Sequence, residues 1–429
     1  MLRSILTTCF VLATIYTATP LTAGVDSVKS GPGYVNQVWY KPGMLNTESP
    51  QASWHLGFQS GVSATIIIND ALTATVEGEA KAFKMYLVPN STPATYDALD
   101  TAGMSTWTRL YNKPATWTGA LNSVADASNI FDYGWGKYNI QSHMLNGARV
   151  FVFVMPDGST WKLFIQAWSG FSYTFKYARI DGSDARTGNV NMNGIVDKTF
   201  MYWSFVGHTN IDREPPSDAW DLTFLKYTDL VQAGPGAPVP YPVTGFLARP
   251  GIKLAKVTGA NPAALQPPPI EQFDTTANLI GWDWKTFDQG TGKYTITDST
   301  AYFILRRDGS MWKMVMTGFT GSSTGTAYFN AEIVLTSVAD ADAPNSNVLG
   351  VHPNIVGSGD ALHAVFEVSA AVHSVRLVDV AGRTVLNIAA NLDAGMHAIP
   401  VSASGLATGH YRIVVQTATH TFGSALIIR

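Results

Sequence analysis

Two hexamers decide how this chain is read: Asp157-Gly158-Ser159-Thr160-Trp161-Lys162, and again Asp308-Gly309-Ser310-Met311-Trp312-Lys313. Each stands between apolar runs, Val150 to Met155 and Trp161 to Trp168 in the first case, Ala301 to Leu305 and Trp312 to Phe319 in the second. Asp-Gly in that setting is a strong hairpin signal, with a type I′ turn requiring positive φ at both central residues. Alternation along the exit strands puts Trp161, Leu163 and Ile165 on one face and Trp312, Met314 and Met316 on the equivalent face, with Lys162 and Lys313 pointing the other way. The entry strand Val150-Phe151-Val152-Phe153-Val154 is apolar on both faces, so both of its sides must be covered.

Upstream of each hexamer the likeness continues. Asn129-Ile130-Phe131-Asp132-Tyr133-Gly134-Trp135 matches Asn278-Leu279-Ile280-Gly281-Trp282-Asp283-Trp284, and Trp54-His55-Leu56-Gly57-Phe58 matches Trp220-Asp221-Leu222-Thr223-Phe224. A duplicated unit of about 150 residues agrees with the usual size of a domain. The expected copies span 24–190 and 191–336. The Pro-rich stretches Gly234 to Pro242 and Pro262 to Pro269 read as loops inserted into the second copy, because proline is excluded from central strands. After them 337–347 is short, small and acidic, a linker, and 348–429 carries short β runs at Val365 to Val368, Val375 to Val380, Tyr411 to Val415 and Ala425 to Ile428. The expected fold is therefore all-β, with two duplicated antiparallel domains and a small C-terminal β-sandwich.

Composition narrows the function. Over 429 residues, 28 Lys and Arg stand against 31 Asp and Glu, a balance without the basic footprint of nucleic-acid binding. Residues 1–23 read as a secretory signal: Arg3, a largely apolar stretch from Ile5 to Tyr16, then a small residue, Ala23, before Gly24. The one cysteine, Cys9, falls inside that segment, so no disulfide or Cys-rich metal site is available to the rest. No later run is long and apolar enough for a transmembrane helix.

The C-terminal residues resemble a known family. Val351-His352-Pro353-Asn354, Leu377-Val378-Asp379-Val380-Ala381-Gly382-Arg383, Gly395-Met396-His397 and Leu406-Ala407-Thr408-Gly409-His410-Tyr411, closing on an apolar strand, are similar to the type A sorting domain of type IX secretion cargo. Pro353, Asn354, Asp379, Gly382, Arg383, Gly409 and Tyr411 carry that motif. Ile355 and Ser424-Ala425 depart from the pattern. The resemblance implies export through the periplasm to the outer surface of a Bacteroidota-type cell, with the type IX machinery as partner. The duplicated part resembles the HmuY haem-binding family in its Trp-led strand, its Gly-Trp-Asp-Trp segment and its Asp-Gly hairpin. That resemblance implies capture of haem or porphyrin through axial His or Met side chains. In the second copy the ligand-bearing loop has Gln289; in the first, the same loop holds His143 and Met144, which are the candidate ligands.

Enzyme motifs do not assemble. No His-Glu-x-x-His occurs, and Gly321-Ser322-Ser323-Thr324-Gly325 lacks the strand-to-helix context of a nucleophile elbow and reads as a hairpin tip. Asp212, Glu214 and Asp218 read as solvation of a polar loop, His55 and His208 as strand-edge residues, and Tyr133, Trp135, Trp282 and Trp284 as sheet packing before a ligand platform. The expectation is a non-enzymatic exported binding module. The other reading is a structural or adhesive surface protein that keeps the fold without haem.

Overall fold

A computed structural model describes residues 24–334 and 347–428, apart from 43, 45, 61–62, 194, 196, 233, 307–308, 353–354, 357–360, 369–370, 380–382, 394 and 418–420. The chain is all-β, with strands over 51% of it and no helix of seven residues or more among the described residues. It divides into two units, Met1–Thr336 and Ser337–Arg429.

Both hexamers lie in hairpins, and their described residues make the same turn bonds. Met155 N–H donates to Ser159 C=O and Gly158 N–H to Met155 C=O, and Arg306, Ser310 and Gly309 repeat the pair. Gly158 and Gly309 each have φ +84°. Asp157 is not in the left-handed region, so the first turn is not the expected type I′: only its glycine takes positive φ, as in the longer hairpin loops that end on a left-handed residue. The exit strands Thr160–Trp168 and Met311–Phe319 carry a β-bulge at the same place, between Ile165 and Ala167 in one and Met316 and Gly318 in the other. Trp161, Leu163 and Ile165 enter one core; Trp312, Met314 and Met316 enter a second. Trp135 and Trp284 are fully buried at equivalent places in those cores.

The opposite faces of these strands are covered as well. Phe151 and Phe153 face the first core, while Val150 and Val152 join a separate cluster with Val88, Tyr96, Leu99 and Phe164. In the second repeat Phe303 and Met311 pack with Phe273 in the same way. Lys162 and Lys313 therefore lie under a second layer and are buried.

The two cores do not divide at residues 190/191. The first takes Met201, Trp203 and Phe205; the second takes Val28, Val38 and Tyr40. Strand pairing gives the reason. Arg186–Asn191 adds to Ser172–Arg179 and Phe200–Ser204 to Leu56–Gln59, so the first repeat is closed by strands that follow it. Gly24–Lys29 adds to Thr326–Val334 and Asn36–Tyr40 to Leu222–Val231, so the second is closed by the start of the described chain. The matching four-stranded sheets run Thr209–Ile211, Phe200–Ser204, Leu56–Gln59, Ile66–Ile68 and Thr47–Pro50, Asn36–Tyr40, Leu222–Val231, Val239–Ala248. Val239–Ala248 contains Pro240 and Pro242. That Pro-rich stretch thus runs into a strand and not only a loop, and it is an edge strand, where a missing N–H costs no ladder bond on the open side.

The C-terminal unit is a two-sheet sandwich. Asn347–His352, Ala361–Val368 and Gly395–Ser402 form one sheet; Ile355–Val356, Thr421–Ile428, Gly409–Thr417, Val372–Asp379 and Thr384–Leu392 form the other. Leu362, Phe366, Val375, Leu377, Ile413 and Leu426 share its core. Asp379 and Arg383 clasp each other, with Arg383 Nε donating to Asp379 Oδ2 at 2.8 Å, and Tyr411 O–H donates to Ala407 C=O at 2.8 Å. Gly409 opens a strand, while Pro353, Asn354 and Gly382 lie outside the described residues.

Candidate functional site

Within the first unit the two repeats meet along a polar seam. Arg213 is buried there, 5.1 Å from the ring centroids of Trp39 and Tyr202 and 5.7 Å from that of Trp54, and it donates to Gln37 Oε1 at 2.6 Å and Pro50 C=O at 2.9 Å. Burial lowers its pKa to about 10, so it stays charged at neutral pH. Gln37, Trp39 and Pro50 belong to the segment that closes the second repeat, and Trp54 and Tyr202 to the first. Glu214 is equally buried, accepts from Thr199 N–H at 2.6 Å and Tyr202 O–H at 3.0 Å, and is raised by burial to about 7. It is not the solvated loop carboxylate its sequence suggests; only Asp212 and Asp218 are exposed.

A loop of the first repeat, 108–118, wedges against the second. Leu110 N–H bonds Met85 C=O and Leu87 N–H bonds Thr108 C=O, which holds the loop's start beside the strand Lys84–Leu87. Further along, Ala277 N–H donates to Ala115 C=O at 2.8 Å and Trp117 Nε1 to Ala248 C=O at 2.7 Å. Asp70 pins the junction: Oδ2 accepts from Asn112 N–H at 3.0 Å and Oδ1 from Thr228 N–H at 3.2 Å, across the seam. Burial pushes Asp70 up to about 6 against the pull of these donors and of Arg109.

Between loop and strand lies a cleft of about 420 Å³, lined among others by Arg109, Tyr111, Pro114, Leu230, Pro240 and Asn278. That size and mostly apolar wall suit a small organic ligand. Behind it, sharing Asn112, Lys113, Pro114 and Thr228, an enclosed cavity of about 40 Å³ reaches Gln51, Trp54 and Tyr227. Gln51 Oε1, Trp54 Nε1 and Tyr227 Oη are buried without a hydrogen-bond partner, and the cavity is roomy enough for a water.

The residues singled out for haem lie elsewhere. His143 sits at φ +55° at the tip of the hairpin Gly136–Asn139 and Met144–Gly147, exposed, with Nδ1 2.9 Å from Tyr138 Oη. Met144 is half-buried on the next residue. Capture through two axial donors needs both to face one cavity; His143, at positive φ outside the strand, is not on extended backbone, so strand alternation does not set its direction relative to Met144. Gln289 is exposed in the matching turn of the second repeat. His55 is no edge residue: it is buried between Phe83 and Phe205, accepts from Phe205 N–H at Nδ1, and burial lowers it to about 4. His208 stacks on Tyr177 and shares a hydrogen bond with its hydroxyl.

No protein-family model and no curated protein matches the chain. Among solved structures, a fungal alcohol oxidase of the AA5 family in complex with copper is 12% identical over 95% of both chains, with a TM-score of 0.20. An Escherichia coli alpha-2-macroglobulin activated by porcine elastase is 11% identical over 97% of this chain and 44% of its own, with a TM-score of 0.18.

Sequence reading missed the cleft because its walls come from segments far apart in the chain. Arg109 and Tyr111 carry no motif, and their only local signal is an alternating stretch, Thr108 to Tyr111, with Leu110 directed inward.

Proposed function

We propose that the chain is a non-enzymatic binding module, exported by the type IX route through its C-terminal unit, whose ligand occupies the cleft between the two repeats. The observation that carries this reading is the preformed cleft itself. Its walls are tied by Asp70, Trp117 and Ala115 before any ligand arrives, so binding costs little ordering. Haem or another porphyrin, implied by the family resemblance, is the first ligand to test, with the macrocycle against the apolar walls.

Titration of the full chain with hemin and with metal-free protoporphyrin IX, followed by tryptophan quenching, tests it. Both bind, Leu230→Trp abolishes the quenching, and His143→Ala and Met144→Leu leave it unchanged. Loss in His143→Ala with retention in Leu230→Trp would move the site to the hairpin tip. No binding of either compound would favour the adhesive reading, which Ile130 and Ile140, 84% and 67% exposed beside that tip, otherwise support.

A further inference from the structure

We infer that the cleft selects an apolar carboxylate, with Arg109 as the residue that receives the carboxylate group. This rests on the cleft being the ligand site and names the chemistry of the ligand it takes.

Arg109 and Tyr111 are two apart on an extended segment, and they flank Leu110, which is buried in the first core. They therefore share the cleft side of the loop. The guanidinium lies over the Tyr111 ring, 4.9 Å from its centroid, and Nε is buried without a hydrogen-bond partner. Among the described residues its side chain makes no ion pair or hydrogen bond. Nε is the one donor of this half-buried guanidinium that neither the protein nor solvent satisfies, and a buried unmet donor is costly. The nearby acids are already engaged: both oxygens of Asp70 accept backbone N–H groups, and Asp229 accepts from Leu230 N–H at 2.8 Å and Asn278 Nδ2 at 3.1 Å.

Lys113 lies exposed on the same rim, without a carboxylate partner among the described residues. The two cations face Asp229 and the buried Asp70, so the cleft carries little net positive charge. That favours a monoanion over a phosphate dianion. A planar guanidinium held on an aromatic face also matches the two oxygens of a carboxylate as a fork. Beyond that head, Tyr111, Pro114, Leu230 and Pro240 offer apolar walls to the ligand's body.

The test uses the full chain and 1-pyrenebutyrate, read by pyrene fluorescence, beside its methyl ester. The acid binds, and the ester binds at least about tenfold more weakly. Arg109→Gln weakens the acid to the level of the ester with an unchanged unfolding midpoint, and Arg109→Lys restores part of the difference. Lys113→Gln, at an exposed position, weakens the acid about threefold at low salt and less at high salt. An ester that binds as tightly as the acid would overturn the inference, and so would displacement by inorganic phosphate as effective as by butyrate. If acid and ester then both fail on Leu230→Trp, the cleft remains the site and only the carboxylate assignment falls. If neither compound binds, the assignment also falls, and the porphyrin titration alone decides the cleft.

Discussion

The two repeats solve the same packing problems with different residues, and the differences come in matched sets. At the start of the Trp-led strand the first repeat has His55, neutral and packed between phenylalanines, where the second has Asp221. At the entry to the hexamer turn the first has Met155 where the second has Arg306, and Arg306 Nε meets Asp221 Oδ2 at 2.6 Å. An imidazole with a thioether in one copy stands where a buried ion pair stands in the other. The buried lysines diverge likewise. Lys162 lies 4.9 Å from the Tyr96 ring centroid with Ala178 opposite, whereas Lys313 pairs with Glu332. One backbone plan thus tolerates apolar or ionic fillings at these positions.

The largest difference is closure, and it gives the largest effect. Removing residues 24–50 strips Gly24–Lys29 and Asn36–Tyr40 from the second repeat and uncovers its core around Val28, Val38 and Tyr40. The second repeat should lose its whole stability, more than about 5 kcal/mol, while the first keeps its protection. Hydrogen exchange resolved by segment checks this; equal loss in both repeats would show that they fold as one cooperative unit.

The ion pair comes next. Arg306→Met takes the hydrogen-bonded partner from the buried Asp221 carboxylate, leaving the charges of Lys41 and Arg249 near it, and should cost about 3 kcal/mol in urea unfolding. Adding Asp221→His installs the first repeat's pair and should recover most of that. If the double variant is no better than the single one, the two fillings are not interchangeable.

His55 gives the pH comparison. Its folded pKa, about 4, lies below the unfolded value of 6.5, so the folded state resists a proton that the unfolded state accepts. Stability from this group is complete above 6.5 and is lost as pH falls toward 4, on the order of 3 kcal/mol in all. Asp70 and Glu214 work in the opposite sense: burial raises them to about 6 and about 7, so acidification from neutral favours the folded state at the seam. His55→Phe should therefore remove the acid-side loss and expose a net gain in stability between pH 7 and 5. An unchanged pH profile would show that His55 is already accounted for by another group.

The smallest effect separates the lysines. Lys313→Met leaves Glu332 without its partner and should cost about 1 kcal/mol, whereas Lys162→Met, which strands no carboxylate, should stay within about 0.5 kcal/mol.

Much of the fold was legible in local pattern. The hexamers announced their hairpins, the alternation around Trp161 and Trp312 named the core faces, and the apolar entry strand required the second layer that Val88, Tyr96 and Leu99 supply. The boundary at 190/191 was not legible, since nothing local in Phe200 to Ser204 says which Trp-led strand it will join. The burial of Glu214 was hidden for a related reason: a carboxylate in a Pro-containing loop looks solvated until Tyr202 and Thr199 are brought to it. Arg109 carried no motif beyond the alternation from Thr108 to Tyr111, because an unmet donor is defined by the partners that fail to reach it.

The sequence by itself determined the repeat, the strand periodicity, the places of the hairpins and the sandwich that follows, because turn chemistry and side-chain alternation act over a few residues. Tertiary structure alone decided that Gly24–Lys29 would close the sheet at Thr326–Val334 and that a loop at 108–118 would meet the strand at Thr228 to form a cleft. A sheet edge offers the same row of N–H and C=O groups to any strand that fits, so the choice among partners falls to the side chains buried when they dock.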